Sequence, residues 1–527
     1  MKGKFMLLVL MIMQVHVYCQ QDAWVYLTDK QNVTSSLSNP LSILSQKAID
    51  RKAAHGVSID ERDLPVNESY ITQLKNAEGI TVMAKSKWLN AVHVRGNKTH
   101  IEALSSLSFV DSIDFADKSL NASKPIVRKK MSKLDSEWSA FNYGNAFNQI
   151  NMIKANELHL LGYTGMGMTV AVIDAGFPNV NTMSAFERLR NANNIIGGYD
   201  FVNRTANVYA NTSSNHGTLV LSTMAGFLQD QYIGTAPDAS YYLFITEDAL
   251  SENPVEESYW VEAVERADSL GVDVINTSLG YKLYDNPNYN HSDASLNGYT
   301  TFITRGANIA FEKGLLLINS AGNEGFEGIN APADSPNVLA VGAVTANGVY
   351  ASFSSVGSSI QPSRKPDVVA QGQASFVIGT NDVVGTINGT SFSSPILAGG
   401  IVCLWQALPD KTNDEIMQLV RESASQYRNP NYFLGYGIPN LLAALHQESP
   451  PEELLLFPNP SNGTLFLKSP LAEQWTLSLY DILGRRVNSF QILDSNHPID
   501  ISTLVSGIYL IKIESPSIKK TFKIIKN

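Results

Sequence analysis

The chain has 527 residues, 44% of them apolar and 17% charged, with a formal net charge of −10. This composition excludes disordered and fibrous classes, and the acidic balance argues against nucleic acid as a partner. The length exceeds what one hydrophobic core fills and predicts about three or four structural units.

Residues 1–19 read as a secretory signal peptide. Lys2 and Lys4 precede the apolar run Phe5–Met13, and Val17 and Cys19 are small enough to stand before a cleavage. The run is too short for a membrane span, which needs roughly 20 apolar residues. A lipid anchor on Cys19 is the rival reading, but His16 and Tyr18 break the small-residue pattern such processing prefers. Cys403 then has no internal partner and, in the apolar run Ile401–Trp405, reads as an inert buried thiol.

Residues 20–135 predict a separate unit. Ala23–Leu27, Ile80–Ser86, Leu89–Arg95 and Val110–Phe115 pattern as strands; Leu41–Ala54 and His100–Leu107 pattern as helices. The order β-α-β-β-α-β is a two-layer α+β sandwich. Asp117–Lys133, centred on Arg128-Lys129-Lys130, reads as an exposed linker open to proteolysis.

Residues 145–445 predict an α/β unit. Thr169–Ile173, Tyr241–Ile245, Val272–Asn276, Leu315–Asn319 and Val338–Val344 are apolar runs. Helical stretches at Gly217–Gly226, Val255–Leu270 and Leu296–Lys313 fall between them. Fully apolar strands between helices imply a parallel central sheet covered on both faces. Reactive groups of such sheets gather beyond the strands' carboxyl ends. A Pro- and Glu-rich linker, His446–Glu453, leads into residues 454–527. There Gly463–Lys468, Trp475–Tyr480, Val487–Ile492, Gly507–Glu514 and Lys519–Ile525 predict a small β-sandwich.

Four short segments in the α/β unit carry candidate chemistry. Val170-Ala171-Val172-Ile173-Asp174-Ala175-Gly176 ends an apolar strand in an acid. Asn215-His216-Gly217-Thr218 opens an apolar helix with a histidine. Ile318-Asn319-Ser320-Ala321-Gly322-Asn323-Glu324-Gly325 sets an amide on a Gly-rich loop. Asn388-Gly389-Thr390-Ser391-Phe392-Ser393-Ser394-Pro395 presents Ser391 at the start of a buried helix, where backbone donors and the dipole favour negative charge. Each has an ordinary reading alone: a strand-end acid, a surface histidine, a loop amide, a serine cap. Asn388-Gly389-Thr390 also spells a glycan acceptor, at odds with its place beside a buried helix start.

Taken in order, Asp174, His216, Asn323 and Ser391 resemble the subtilisin-like serine peptidases, the S8 family, over about Ile150 to Leu445. The order Asp…His…Ser separates the chain from other triad folds. The resemblance implies peptide-bond hydrolysis through an acyl-enzyme. Ser391 would attack, His216 would act as base and then acid, and Asp174 would orient His216. Asn323 and the Ser391 N–H would hold the oxyanion. Ser278-Leu279-Gly280 resembles the family's substrate-binding edge, facing Ser320-Ala321-Gly322 across the primary specificity pocket. Three departures stand out: Ala175 where Thr or Ser is common, Leu219 where a second His is common, and Phe392-Ser393 in place of Met-Ala. None removes a triad atom.

The unit at 20–135 resembles the family's inhibitory propeptides, which assist folding, block the site and are cleaved off. Leu456-Phe457-Pro458-Asn459-Pro460, Leu479–Arg485 and Leu504–Leu510 resemble the sorting domain of the Bacteroidetes type IX secretion system. The resemblance thus implies a secreted or cell-surface protein exported through the periplasm. Its partners would be protein or peptide substrates, its own propeptide and the type IX machinery. No cofactor is required for the chemistry. Family members often bind structural calcium; with no EF-hand-like run of acids here, loop carbonyls would have to supply it. Two rival readings are a catalytically inactive peptidase-like binding protein and an esterase or amidase using the same triad. The complete set of four positions argues against the first, the peptide-binding edge against the second.

Overall fold

The computed structural model describes residues 20–120, 141–447, 454–468, 474–492, 498–515 and 519–527. The expected signal at 1–19, the run Arg128-Lys129-Lys130 and residues 448–453 of the second linker lie outside them. The chain divides into two compact units, Met1–Ala444 and Leu445–Asn527.

The first unit begins with an antiparallel sheet of β1 (Gln21–Leu27), β2 (Ile80–Ser86), β3 (Ala91–Gly96) and β4 (Val110–Phe115), ordered β2-β3-β1-β4. Helices α1 (Gln46–Ala54), α2 (Glu68–Asn76) and α3 (Lys98–Ala103) accompany it. The arrangement is the expected sandwich with two added helices, a short one at Val33–Ser38 and α2. Periodicity passes over α2 because only Ile71 and Leu74 are buried on it.

The second sheet is wholly parallel. Its strands are β5 (Thr169–Asp174), β6 (Ile195–Asp200), β7 (Ser240–Ile245), β8 (Val274–Thr277), β9 (Leu316–Ser320), β10 (Val338–Val344) and β11 (Val368–Gln371). The order is β11-β10-β9-β8-β5-β7-β6. Every residue of β5 is buried, as its unbroken apolar run predicts. Edge strands β6 and β11 escape the apolar-run criterion: β6 is half-exposed and carries Gly197 and Gly198, and β11 has four residues.

Helices α4 (His216–Ala225), α5 (Val255–Leu270), α6 (Phe302–Glu312) and α7 (Thr390–Gln406) cover this sheet. Helix α6 starts later than expected because Thr301 caps it, its Oγ1 accepting from Thr304 N at 3.2 Å. Helix α7 is buried from Thr390 to Trp405 and packs against α4 and strands β8 to β11. A helix apolar on all sides has no other stable place in a soluble unit.

Helices α5 and α6 also carry the N-terminal sheet. Trp24 stacks on Phe302 with centroids 4.7 Å apart and donates its Nε1–H to Ser258 Oγ at 2.7 Å. Glu265 accepts from Ser86 Oγ (2.6 Å), Lys87 N (2.9 Å) and Trp88 N (2.9 Å). Arg51 and Lys52 both pair with the buried Asp268, at 2.5 and 2.8 Å. Buried Lys313 pairs with Asp63 at 2.7 Å.

The second unit holds two antiparallel sheets. Strands β12 (Leu455–Phe457), β13 (Thr464–Lys468) and β16 (Pro498–Asp500) form one; β15 (Arg486–Ile492), β14 (Trp475–Asp481), β17 (Gly507–Glu514) and β18 (Lys519–Lys526) form the other. One apolar core, including Leu465, Leu467, Trp475, Leu477, Ile511 and Ile513, joins them. The five expected strands are present; β12 and β16, three residues each, fall below the length that patterning detects. Among the described residues no helix is long and apolar enough to cross a membrane.

Asp268→Ala would leave Arg51 buried without a counter-charge and Lys52 with Asp63 alone, at 3.3 Å. We expect a loss of about 3–5 kcal/mol in the stability of the docked N-terminal sheet, read by urea denaturation of the full chain.

Candidate active site

The site begins at the end of β5. Asp174, its last residue, is fully buried. Helix α4 starts against it because residue 217 has no side chain. A Cβ on Gly217 would lie 2.6 Å from Gly176 O and 2.9 Å from Asp174 Cβ. His216, the first residue of α4, thereby sets Nδ1 2.7 Å from Asp174 Oδ1. That carboxylate oxygen also accepts from Ala175 N at 2.8 Å, while the buried Oδ2 has no donor among the described residues. Burial pulls the imidazolium pKa down, but the charge and hydrogen bond of Asp174, with Glu247 behind them, outweigh it and raise His216 above 6.5. With Nδ1–H held by a carboxylate, Nε2 is the ring nitrogen free to accept a proton.

Ser391 is the second residue of α7. Gly389 precedes the helix at φ 148°, a conformation that residues with side chains rarely adopt. Pro395 lies four residues after Ser391, so the Ser391 carbonyl has no i+4 N–H to accept. Ser278 Oγ supplies that donor at 2.8 Å. Ser278 Oγ accepts in turn from Asn276 Nδ2 at 3.2 Å, and Asn276 Oδ1 accepts from Ser394 Oγ at 2.8 Å. This chain of bonds ties the end of β8 to the first turns of α7. The Ser391 hydroxyl donates to Ser278 O at 3.2 Å rather than to His216.

Asn323 is oriented by Thr390. Its Oδ1 accepts from Thr390 N at 2.9 Å and lies 3.0 Å from Thr390 Oγ1. That assignment turns the Asn323 Nδ2 donor away from Thr390 and leaves it without a protein acceptor among the described residues. The Ser391 N–H is in the same state at the positive end of α7.

Ser278-Leu279-Gly280 lies just beyond β8 rather than within a strand. Asn319 Nδ2 donates to Leu279 O at 2.9 Å and Ser320 Oγ approaches it at 3.5 Å. The structure therefore brings Leu279 to Ser320, while Ser278 bonds Ser391 and Gly322 bonds Thr390 at the start of α7. Thr390, the Ser278 hydroxyl, Asn276 and Ser394 are absent from the sequence-derived set. The one sequence signal for them is Pro395, which announces an unpaired carbonyl at Ser391.

A cavity of about 540 Å³ opens beside His216. Its lining comprises Ala175, Ser214, Ser278 and Leu279, the whole run Glu247–Glu252, in which Ala249, Leu250 and Ser251 are uncharged, and Asp285. Among the described residues, Glu247, Glu252 and Glu256 form the one cluster with ligand atoms close enough for a shared cation, within 4.8 Å. It fits calcium poorly. Glu256 spends both oxygens on Asp248 N (2.9 Å) and Asn253 N (2.8 Å), and Glu247 accepts from the Tyr281 hydroxyl. Calcium takes about six to eight oxygens. Cys403 is buried with Sγ 3.2 Å from Thr235 O, and burial pushes its thiol pKa well up, as expected of an inert core thiol.

Residues 165–437 match the family model of the subtilase family. Residues 22–133 match the peptidase S8 propeptide domain of Bacteroidota, and 455–527 the secretion system C-terminal sorting domain. Subtilisin NAT of Bacillus subtilis subsp. natto is 33% identical over 300 residues, covering 56% of this chain and 70% of that one. Subtilisin E of Bacillus subtilis strain 168 has the same identity and coverage. Subtilisin of Bacillus pumilus is 32% identical, over 56% of this chain and 97% of that one.

Ser278→Ala would strip the buried Ser391 carbonyl of its donor. The expected cost is about 1–3 kcal/mol, read by thermal or urea denaturation, with Ser278→Thr recovering most of it.

Proposed function

Because the chain belongs to the subtilase family, we propose that it is a secreted endopeptidase in which Asp174, His216 and Ser391 cut peptide bonds through an acyl-enzyme. Membership makes it a serine peptidase. It carries an S8 propeptide domain and a type IX sorting domain, which directs a protein to the cell surface or beyond. The finer parts of the proposal are the route through a signal at 1–19 and the periplasm, the limits 20–135, 145–445 and 454–527, and cutting within protein chains.

The bond between His216 Nδ1 and Asp174 Oδ1, 2.7 Å long, carries the reading. It fixes the tautomer that leaves Nε2 as the base. For attack the Ser391 hydroxyl would exchange its bond to Ser278 O for one to Nε2, since catalytic hydrogen bonds often form only with substrate bound. As Ser391 Oγ attacks the scissile carbonyl, its proton passes to His216 and Asp174 balances the imidazolium. The carbonyl oxygen becomes an oxyanion facing Asn323 Nδ2 and the Ser391 N–H. His216 then protonates the leaving amine. Water repeats the sequence on the ester, releasing the acid and restoring Ser391. Ser278–Gly280 and Ser320–Gly322 would hold the substrate backbone and side chain. The chemistry uses no cofactor; structural calcium, if bound, would sit on loop carbonyls.

Wild type is expected to cut casein internally and to take one fluorophosphonate label, and Ser391→Ala to do neither. A wild type freed of its propeptide that does neither would be an inactive binding protein; one that splits small esters but not casein would be an esterase. Asn323→Ala should lower kcat about a hundred- to a thousandfold, the loss seen when an oxyanion donor is removed from a subtilisin. The raised His216 pKa gives the sign of the pH dependence. The base must be neutral, so kcat/KM rises with pH through a midpoint above 6.5. A midpoint at or below that value would detach His216 from Asp174.

A further inference from the structure

The triad chemistry makes no use of the carboxylates in the cavity beside His216. Glu247, Asp248, Glu252 and Asp285 line one continuous cleft with His216, Ser278 and Leu279. Their donors are neutral: Tyr281 OH to Glu247, Ser251 Oγ to Asp248 at 3.1 Å, Glu252 N to Asp285 at 3.1 Å. Among the described residues no Lys or Arg pairs with any of the four. Burial, then the charge of Asp285, pushes the Glu252 carboxyl up to about 7; burial, then Glu252, raises Glu247. A positive side chain entering this cleft would hold these carboxyls ionised and is favoured over a neutral or negative one.

The chain itself carries a matching segment. After β4 the N-terminal unit ends in the turn Lys118–Leu120, which packs against the turn Pro287–Tyr289, next in sequence to Asp285 and Asn286. Residues 121–133, which follow, contain Lys124, Arg128, Lys129, Lys130 and Lys133 and no acid. Leu120 thus ends at the turn that begins two residues after Asp285, and Arg128 follows eight residues later in the chain.

We propose that this cleft selects cationic side chains on the N-terminal side of the scissile bond, and that Arg128-Lys129-Lys130 of the same chain is its first occupant. The inference rests on the serine-peptidase reading of Ser391. The reaction is ordinary hydrolysis: one peptide bond breaks and water supplies the new acid and amine.

The test uses three fluorogenic peptides spanning 124–135: the native sequence, one with Arg128, Lys129 and Lys130 changed to Gln, and one with them changed to Glu. Rates are taken per fluorophosphonate-labelled site, so misfolded protein is not counted. The native peptide should exceed the Gln peptide in kcat/KM by about tenfold or more. Mass spectrometry should place the cut within about four residues after Arg128. In the double variant E252Q/D285N the ratio should fall below about threefold. In E252K/D285K the Glu peptide should gain about tenfold, an increase that misfolding cannot produce. Equal rates on native and Gln peptides, or a ratio unmoved by both variants, overturn the proposal while leaving Ser391 chemistry intact. A preference that disappears with millimolar calcium and returns with chelator assigns the carboxylates to the ion and overturns it too. No hydrolysis and no labelling overturns the serine-peptidase reading along with it.

Discussion

All strands of the large sheet run the same way, and the site depends on that constraint. In the pairing register Ile173 lies beside Thr277, and Thr277 beside Asn319. The next residues, Asp174, Ser278 and Ser320, therefore leave the sheet at one level, on three adjacent strands. Parallel connection forces each following segment to cross back over a face, so the chain supplies reactive groups only at this edge. Helices α4 and α7 then start at the same edge and point positive ends into it, where an oxyanion gains most.

Placement alone would leave α7 free to slide, and Pro395 removes that freedom. By deleting one helical donor it orphans the Ser391 carbonyl, and a buried carbonyl without a partner costs about 1–3 kcal/mol. Ser278 Oγ satisfies it only if the end of β8 and the start of α7 sit in register. Asn276 and Ser394 repeat the tie one turn on. Thr390 adds a third, since its N–H sets the face that Asn323 presents. The Ser391 hydroxyl, the Asn323 amide and the end of β8 at Ser278 are thus held by neutral hydrogen bonds. Asp174 is held differently. Its Oδ2 has no donor among the described residues, so His216 is its main compensating group, which favours the protonated imidazole.

The sequence makes legible what is local. Asp174 ends a strand, His216 begins a helix, Ser391 is second in one and Asn323 lies on the loop after β9, all in small-residue motifs, so position and chemistry can be read together. The central strands are equally plain, being apolar throughout. Edge strands β6 and β11 are not, β6 because it is half-exposed and β11 because its buried run is only four residues long. What joins distant segments leaves little trace. Thr390 appears in the motif with no sign that it would aim an amide 67 residues away. Glu247, Glu252 and Asp285 look like scattered surface acids until folding lines one cavity with them. Arg51, Lys52 and Asp268 mislead more strongly. Charged residues usually sit in water, yet these three are buried against each other.

Those buried charges bear on how the N-terminal unit is held. Helix α5 presents Glu265 and Asp268 to that unit, and its first turn places Glu256 near the acidic cleft. The docking contacts are a stacked tryptophan, a carboxylate with three donors and several desolvated ion pairs. None of them involves the chain between 120 and 141. Cutting that segment would remove the tether and its contribution to effective concentration, while the contacts just named lie on described residues outside it. Separating the partners would expose Asp268, Arg51 and Lys52 to water, which returns much of the desolvation cost of burying them. The apolar contact of Trp24 with Phe302 has no such compensation and resists separation. What holds the unit in place is therefore the surface of α5 and α6.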